Sequence, residues 1–320
     1  MSAVERDLHV VRAAPERAEE ALSALLAAGP AASARFARQA EAAKISLERI
    51  WCLADDLGRY RLAVLAVPSL GRTAMLLASH PRSASEAQVL GAAISAAAAG
   101  CADVSDIAQA LVEPSRPLDL AAFEAGGLRR LATLDYLEME IPRAAAANTQ
   151  RKPLPAGWTI GPAADPRALA SPDPSALGDA CRAEIASVLD ESYKDTRDCP
   201  GLAGMRRTLD VLDGHFGLGP RPRFWLVARK DGRALGVCLV NGSPDAANAE
   251  LVYLGLAREA RGLGIAGALL DESLEICAKA RVGIITLAVD ELNAPARALY
   301  LARGFRKTSA RAALVRALRA

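Results

Sequence analysis

The chain has 320 residues, of which 52% are hydrophobic, and its 39 basic and 37 acidic side chains leave a formal net charge of +2. That length suits two domains of about 150 residues, and the charge balance gives no footprint for nucleic acid. No apolar run approaches a membrane span, and the first residues lack the basic-then-apolar order of a signal peptide. The chain therefore reads as cytoplasmic, with neither a nucleic-acid nor a membrane partner.

Apolar spacing predicts a strand at 8–12, one or more helices, then strands at 49–54, 62–67 and 73–78. A helix at 85–99, a strand at 107–112, a helix at 118–126 and a strand at 133–141 complete the first half. Residues 143–155, with a run of alanines, Asn-Thr-Gln and two prolines, read as a linker. The second half repeats the order, with strands at 158–161, 224–228, 235–240 and 250–256, a helix at 266–280, a strand at 283–289, a helix at 295–303 and a strand at 310–317. Gly267, Leu270, Leu274 and Cys277 share one face at helical spacing. Such alternation implies an α/β fold with mixed sheets covered by helices. The division expected is 1–142, a linker at 143–156, and 157–320.

The two halves are copies. Arg49-Ile50-Trp51 through Gly58-Arg59 returns as Arg223-Phe224-Trp225 through Gly232-Arg233, and Phe123 to Gly127 returns as Tyr300 to Gly304. The second copy is longer: Val11 to Ile50 spans 39 residues, whereas Ile160 to Phe224 spans 64. The extra length holds a polar stretch at 192–202, and Gly214-His215. A polar insertion of that size in a compact domain is often functional.

Six cysteines (52, 101, 181, 199, 238, 277) form no CxxC pair, and three histidines (9, 80, 215) lie far apart, so no metal site is expected. Arg261-Gly262-Leu263-Gly264-Ile265-Ala266 lies between a strand and a helix. Strand, glycine loop and helix aim several N–H groups and a helix N-terminus at one point, which suits a phosphate. A dinucleotide-binding oxidoreductase is disfavoured, because its loop follows the first strand of a βαβ unit and this one follows the fourth.

The second half resembles the GNAT N-acetyltransferase superfamily. Leu254-Gly255-Leu256 ends the fourth strand, Arg261 to Ala266 fits the family's Arg/Gln-x-x-Gly-x-Gly/Ala loop, and Asn293, Tyr300 and Gly304-Phe305 fit its second signature. The match covers roughly 155–320. With the internal repeat, the whole chain resembles mycothiol synthase-like bacterial tandem acetyltransferases, that is, two GNAT-like acyl-CoA N-acyltransferase domains in tandem.

The resemblance implies acetyl-CoA as co-substrate, without a metal. Its pantetheine arm would run along Leu254, Gly255 and Leu256, with Gly255 permitting a bulge. Its pyrophosphate would rest on Gly262, Leu263, Gly264, Ile265 and Ala266, with Gly264 allowing close approach, Arg261 adding charge, and Asn293 completing the site. Tyr300 is the expected general acid for the leaving thiolate and Glu250 the expected base. Tyr193, Asp198 and His215, in the insertion, are candidates for binding the acceptor or relaying its proton. The acceptor is a small-molecule or peptide amine of unspecified identity, and nothing in the sequence sets an oligomeric state. A CoA-binding sensor with little turnover is the competing reading, and Tyr300 with Glu250 argues against it.

In the first copy Tyr300 is matched by Phe123, Gly264 by Ala87, Arg261 by Ala84, Asn293 by Arg116 and Glu250 by Thr73. Framework residues such as Trp51, Gly58 and Gly127 are kept. The first half is therefore expected to be a degenerate, non-catalytic copy.

Overall fold

The computed structural model describes residues 8–42, 45–141, 153–171, 173–217, 223–243 and 247–319. Most of the linker expected at 143–156 lies outside them. The chain forms two compact units, 1–133 with 311–320, and 134–310. The sequence reading cut the chain once, near 142. The compact units instead place the ends of the two closing strands with the opposite copy, because those segments pair there.

The first unit begins with β1 (His9–Arg12), α1 (Ala18–Leu26) and α2 (Pro30–Ala42). Strands β2 (Ile50–Ala54), β3 (Tyr60–Ser69) and β4 (Thr73–Ala78) follow, then α3 (Ala84–Ala99), β5 (Ile107–Val112), α4 (Pro117–Ala125) and β6 (Arg129–Glu140). Its sheet runs β1-β2-β3-β4-β5. It is closed by residues 312–317 of β12 (Arg306–Ala317), antiparallel to β5. The core lies between this sheet and the Ala-rich α3, with Trp51, Leu53, Leu76, Leu90, Ile94 and Leu314 buried. Small side chains on α3 permit close packing: a Cβ on Gly91 would come within 2.6 Å of Ala125.

The second unit contains β7 (Trp158–Pro162), α5 (Pro166–Ala170), α6 (Gly178–Tyr193), α7 (Thr208–Phe216), β8 (Leu226–Lys230) and β9 (Arg233–Gly242). Then come β10 (Asn248–Leu256), α8 (Ile265–Lys279), β11 (Ile284–Asp290) and α9 (Ala294–Leu301). Its sheet runs β7-β8-β9-β10-β11, and residues 134–140 of β6 pair antiparallel with β11. Helices cover both faces. Leu226, Cys238, Leu269, Leu270, Ile285 and Tyr300 pack on one side, and Ile185, Leu189, Phe216, Trp225, Val237 and Leu239 on the other. Covered on both faces, β9 reads as a continuous apolar run instead of an alternating one. Phe216 and Trp225 meet edge to face at 5.6 Å, and the Trp225 indole N–H donates to Asn241 Oδ1 at 2.9 Å. That bond satisfies a polar atom in a fully buried ring.

Candidate active site

The site grows from one irregularity in β10. The register of β10 against β9 slips between Leu251 and Tyr253, which makes Val252 a bulge. The sequence reading put a bulge at Gly255; the structure puts it three residues earlier. Gly255 has another task. A Cβ there would lie 2.5 Å from the Tyr253 ring and 2.9 Å from Ser192 Oγ, so its absence lets the last turn of α6 press against the strand.

On the other edge, β10 pairs in parallel with β11 only from Asn248↔Ile284 to Leu251↔Leu287. Past the bulge the two strands part. In an antiparallel ladder alternate N–H and C=O groups face the same neighbour, so half of the backbone groups of 252–256 face the gap left by β11. The gap opens into a cleft of about 1130 Å³, lined by Val252–Leu256, Ala288, Val289, Asn293, Tyr300 and the loop 261–267.

That loop is built for an anion. Gly262 and Gly264 hold left-handed backbone (φ +78° and +80°), and Gly264 is the N-cap of α8 with no side-chain cap. A Cβ at Gly264 would meet nothing within 4 Å. The glycine is therefore needed for its φ, and the space beside it is left open for the close approach expected there. The N–H groups of 262–267 donate to no acceptor among the described residues, and the helix ladder begins with Ala268 N–H to Gly264 O at 3.1 Å. Orphan donors at a positive helix end are what a phosphate seeks.

Arg261 is engaged elsewhere. Its Nη2 donates to Ser192 O at 3.0 Å and Lys194 O at 2.9 Å, and its Nε to Leu256 O at 3.3 Å. It ties the end of α6 to the end of β10 while still lining the cleft with its charge. Asn293 lines the cleft and caps α9 by accepting the Ala296 N–H at 3.4 Å.

Tyr300, on α9, is 6% exposed and packs edge to face on Phe305 at 5.7 Å. Burial pushes its pKa well above that of a free phenol, and the nearby Cys238, Asp198 and Tyr253 push the same way. Its hydroxyl stays protonated at neutral pH, has no hydrogen-bond partner among the described residues, and borders the cleft.

Glu250 lies before the bulge. It lines a smaller cavity of about 320 Å³ with His215, Gly214, Gly217 and Asn241. Leu251, Val252 and Ala288 line both cavities, so the two meet where the strands part. His215 Nε2 is buried without a partner, and burial, helped by Arg206, lowers its pKa to about 4. Tyr193 and His215 both pack on Tyr253, at 6.0 and 5.4 Å between ring centroids. Burial pushes the Tyr193 phenol up to about 12. Asp198 lines the large cleft.

The model of the acetyltransferase (GNAT) family matches residues 189–305. This part of the chain is a GNAT domain. Two solved structures are similar over nearly the whole chain. One is a GCN5-related N-acetyltransferase from Sphaerobacter thermophilus, at 16% identity, covering 98% of this chain and 96% of that one with a TM-score of 0.57. The other is a tandem GNAT protein from the clavulanic acid biosynthesis pathway, at 19% identity, covering 98% and 99% with a TM-score of 0.56. At these identities the likeness is one of fold, and that fold is the tandem GNAT arrangement. Among curated proteins no sequence matches the chain.

Tyr253 of the GNAT domain escaped the sequence reading. It lines the cleft, gathers Tyr193 and His215, and pairs with Ser192 Oγ at 2.7 Å. Only its position one residue before Leu254-Gly255 hinted at this. No cluster of three or more metal-ligating side chains occurs among the described residues, and none of their helices is long and apolar enough to cross a membrane.

The first copy differs at the decisive point. Ser83 caps α3 by accepting the Glu86 N–H at 3.1 Å, while Glu86 accepts the Arg82 N–H at 2.7 Å. Ser83 thus satisfies a first-turn donor of the kind that α8 leaves open, and Glu86 ties down the residue before the cap. Phe123 fills the place of Tyr300, 5% exposed and without a hydroxyl.

Proposed function

We propose that the GNAT domain transfers the acetyl group of acetyl-CoA to a primary amine on a small molecule or peptide, both substrates being bound together. One observation carries this reading: the free N–H groups of 262–267 stand beside the open edge of β10 in one cleft. A pyrophosphate fits the first and an extended amide-bearing arm the second, pairing as an added strand would. Leu254, Gly255 and Leu256 supply that edge, and Gly262, Leu263, Gly264, Ile265 and Ala266 the cradle. Asn293 fixes the start of α9 and so the reach of Tyr300. Backbone N–H groups at the bulge polarise the thioester carbonyl, and Tyr300 protonates the departing thiolate. Glu250, His215 and Tyr193 surround the acceptor. The capped α3 leaves the first copy without a cradle, so one acetyl-CoA binds per chain.

Calorimetric titration with acetyl-CoA, followed by thiol release across a panel of amines, tests the proposal. Binding that is lost in Gly264→Val, with turnover on at least one amine class, is the expected result. No acetyl-CoA binding would end the proposal. Binding without any turnover would favour an acyl-CoA-binding sensor.

A further inference from the structure

Asp198 stands in the loop after α6, within the insertion that lengthens the second half. Its neighbours Asp195 and Cys199 both hold left-handed backbone (φ +56° and +45°), which costs a non-glycine residue about 1–2 kcal/mol. Contacts with the end of β11 oppose that cost. The Asp290 N–H donates to Asp198 Oδ1 at 3.1 Å, and the Cys199 N–H donates to Asp290 Oδ2 at 3.1 Å. Thr196 Oγ1 accepts the Asp198 N–H at 3.1 Å. One carboxylate oxygen of Asp198 is thus fixed. The other, Oδ2, accepts no hydrogen bond from the described residues, and the residue lines the same cleft as Tyr300 and Tyr253.

Resting on the acyltransferase reading above, we propose that Asp198 is the base that takes the acceptor's proton, held in place by the Asp198–Asp290 clamp. The groups facing it are Asp290 from β11, Tyr253 from β10, Tyr300 from α9 and Cys199 from its own loop. Partial desolvation raises its pKa although the residue as a whole is exposed, the Asp290 N–H opposes the rise, and the Asp290 charge adds to it. Such a carboxylate is a better proton acceptor than a free one. Glu250, the base expected from sequence, lines the smaller cavity and is not among the described residues lining the Tyr300 cleft.

The step balances. The ammonium of the acceptor gives one proton to Asp198, and its freed lone pair forms the C–N bond. The C–S pair leaves with sulfur, Tyr300 protonates the thiolate, and the second proton lost from nitrogen restores the tyrosine. Amide, thiol and one proton on Asp198 result.

Asp198→Asn separates the two roles of the side chain. The amide oxygen still accepts the Asp290 N–H, so the loop is kept, but the group cannot take a proton. CoA thiol release from acetyl-CoA is followed with spermidine, glucosamine, lysine and a tripeptide as probe amines, from neutral to alkaline pH, alongside Glu250→Gln and acetyl-CoA calorimetry. The expected result is unchanged acetyl-CoA affinity and a turnover loss of about 10²-fold near neutrality. The deficit should narrow as pH rises and solvent deprotonates the amine unaided. Asp198→Asn within twofold of the parent at every pH, or a loss confined to Glu250→Gln, overturns the role of Asp198 and leaves the transferase reading standing. A parent enzyme that binds acetyl-CoA but acylates none of the amines overturns both.

Discussion

Arg261 and Ser192 are 69 residues apart in sequence, and the guanidinium of one donates to the main-chain carbonyl of the other at 3.0 Å. The same Nη2 also reaches Lys194 O at 2.9 Å. Helix α6 ends at Tyr193, so these are carbonyls at the close of the helix, where acceptors lack partners and a cation suits the dipole. The arginine that opens the glycine loop is a latch between α6 and the end of β10.

Replacing the latch should therefore act on stability before it acts on ligand affinity. Arg261→Ala leaves carbonyls of α6 and Leu256 without their donor, at a cost of about 1–3 kcal/mol. Thermal melts should fall by several degrees, while acetyl-CoA affinity falls less than in Gly264→Val. An unchanged melting temperature with affinity lost outright would return Arg261 to the phosphate.

Tyr300→Phe should behave in the opposite way. The hydroxyl makes no hydrogen bond to the described residues, and the ring keeps its contact with Phe305, so stability should move by less than about 0.5 kcal/mol. Acetyl-CoA binding should persist and turnover fall by about 10²-fold or more. Chemical denaturation together with steady-state rates separates these outcomes. Turnover within twofold of the parent would remove Tyr300 from acid catalysis.

The sequence made the repeat, the order of elements and the glycine loop legible, because each rests on local spacing or on short-range backbone preference. It missed what depends on pairing between distant segments. The bulge falls at Val252 and not Gly255, since register against β9 decides it. The donors of Arg261 turn to carbonyls of α6, which no local pattern announces. The ends of β6 and β12 are assigned to the opposite copies by their pairing with β11 and β5. A strand's apolar alternation says which face is buried but not which neighbour it chooses.

The capped α3 predicts stoichiometry. Ser83 caps the first turn of that helix, whereas the N–H groups of 262–267 have no acceptor among the described residues. Calorimetry should return one acetyl-CoA per chain, and Gly264→Val should abolish that single isotherm. Ser83→Ala should cost about 1 kcal/mol of stability without adding a site. A second binding event in the parent would sink the idea that the first copy is degenerate.

His215 makes stability fall with acidity over a defined window. Its folded pKa is lowered to about 4 from the ordinary 6.5, chiefly by burial. Below pH 6.5 the unfolded chain takes up a proton that the folded chain refuses, so acid favours unfolding. The contribution is intact above pH 6.5, declines as pH falls towards 4, and stops changing below that. Denaturant midpoints measured across this window should drop for the parent protein. His215→Gln, which titrates nowhere in the range, should show a shallower decline, although it is less stable at neutral pH where the packing against Tyr253 is altered. Parallel curves for the two proteins would mean that His215 is hydrated enough to titrate normally, and that its Nε2 is not held in a dry pocket awaiting an acceptor.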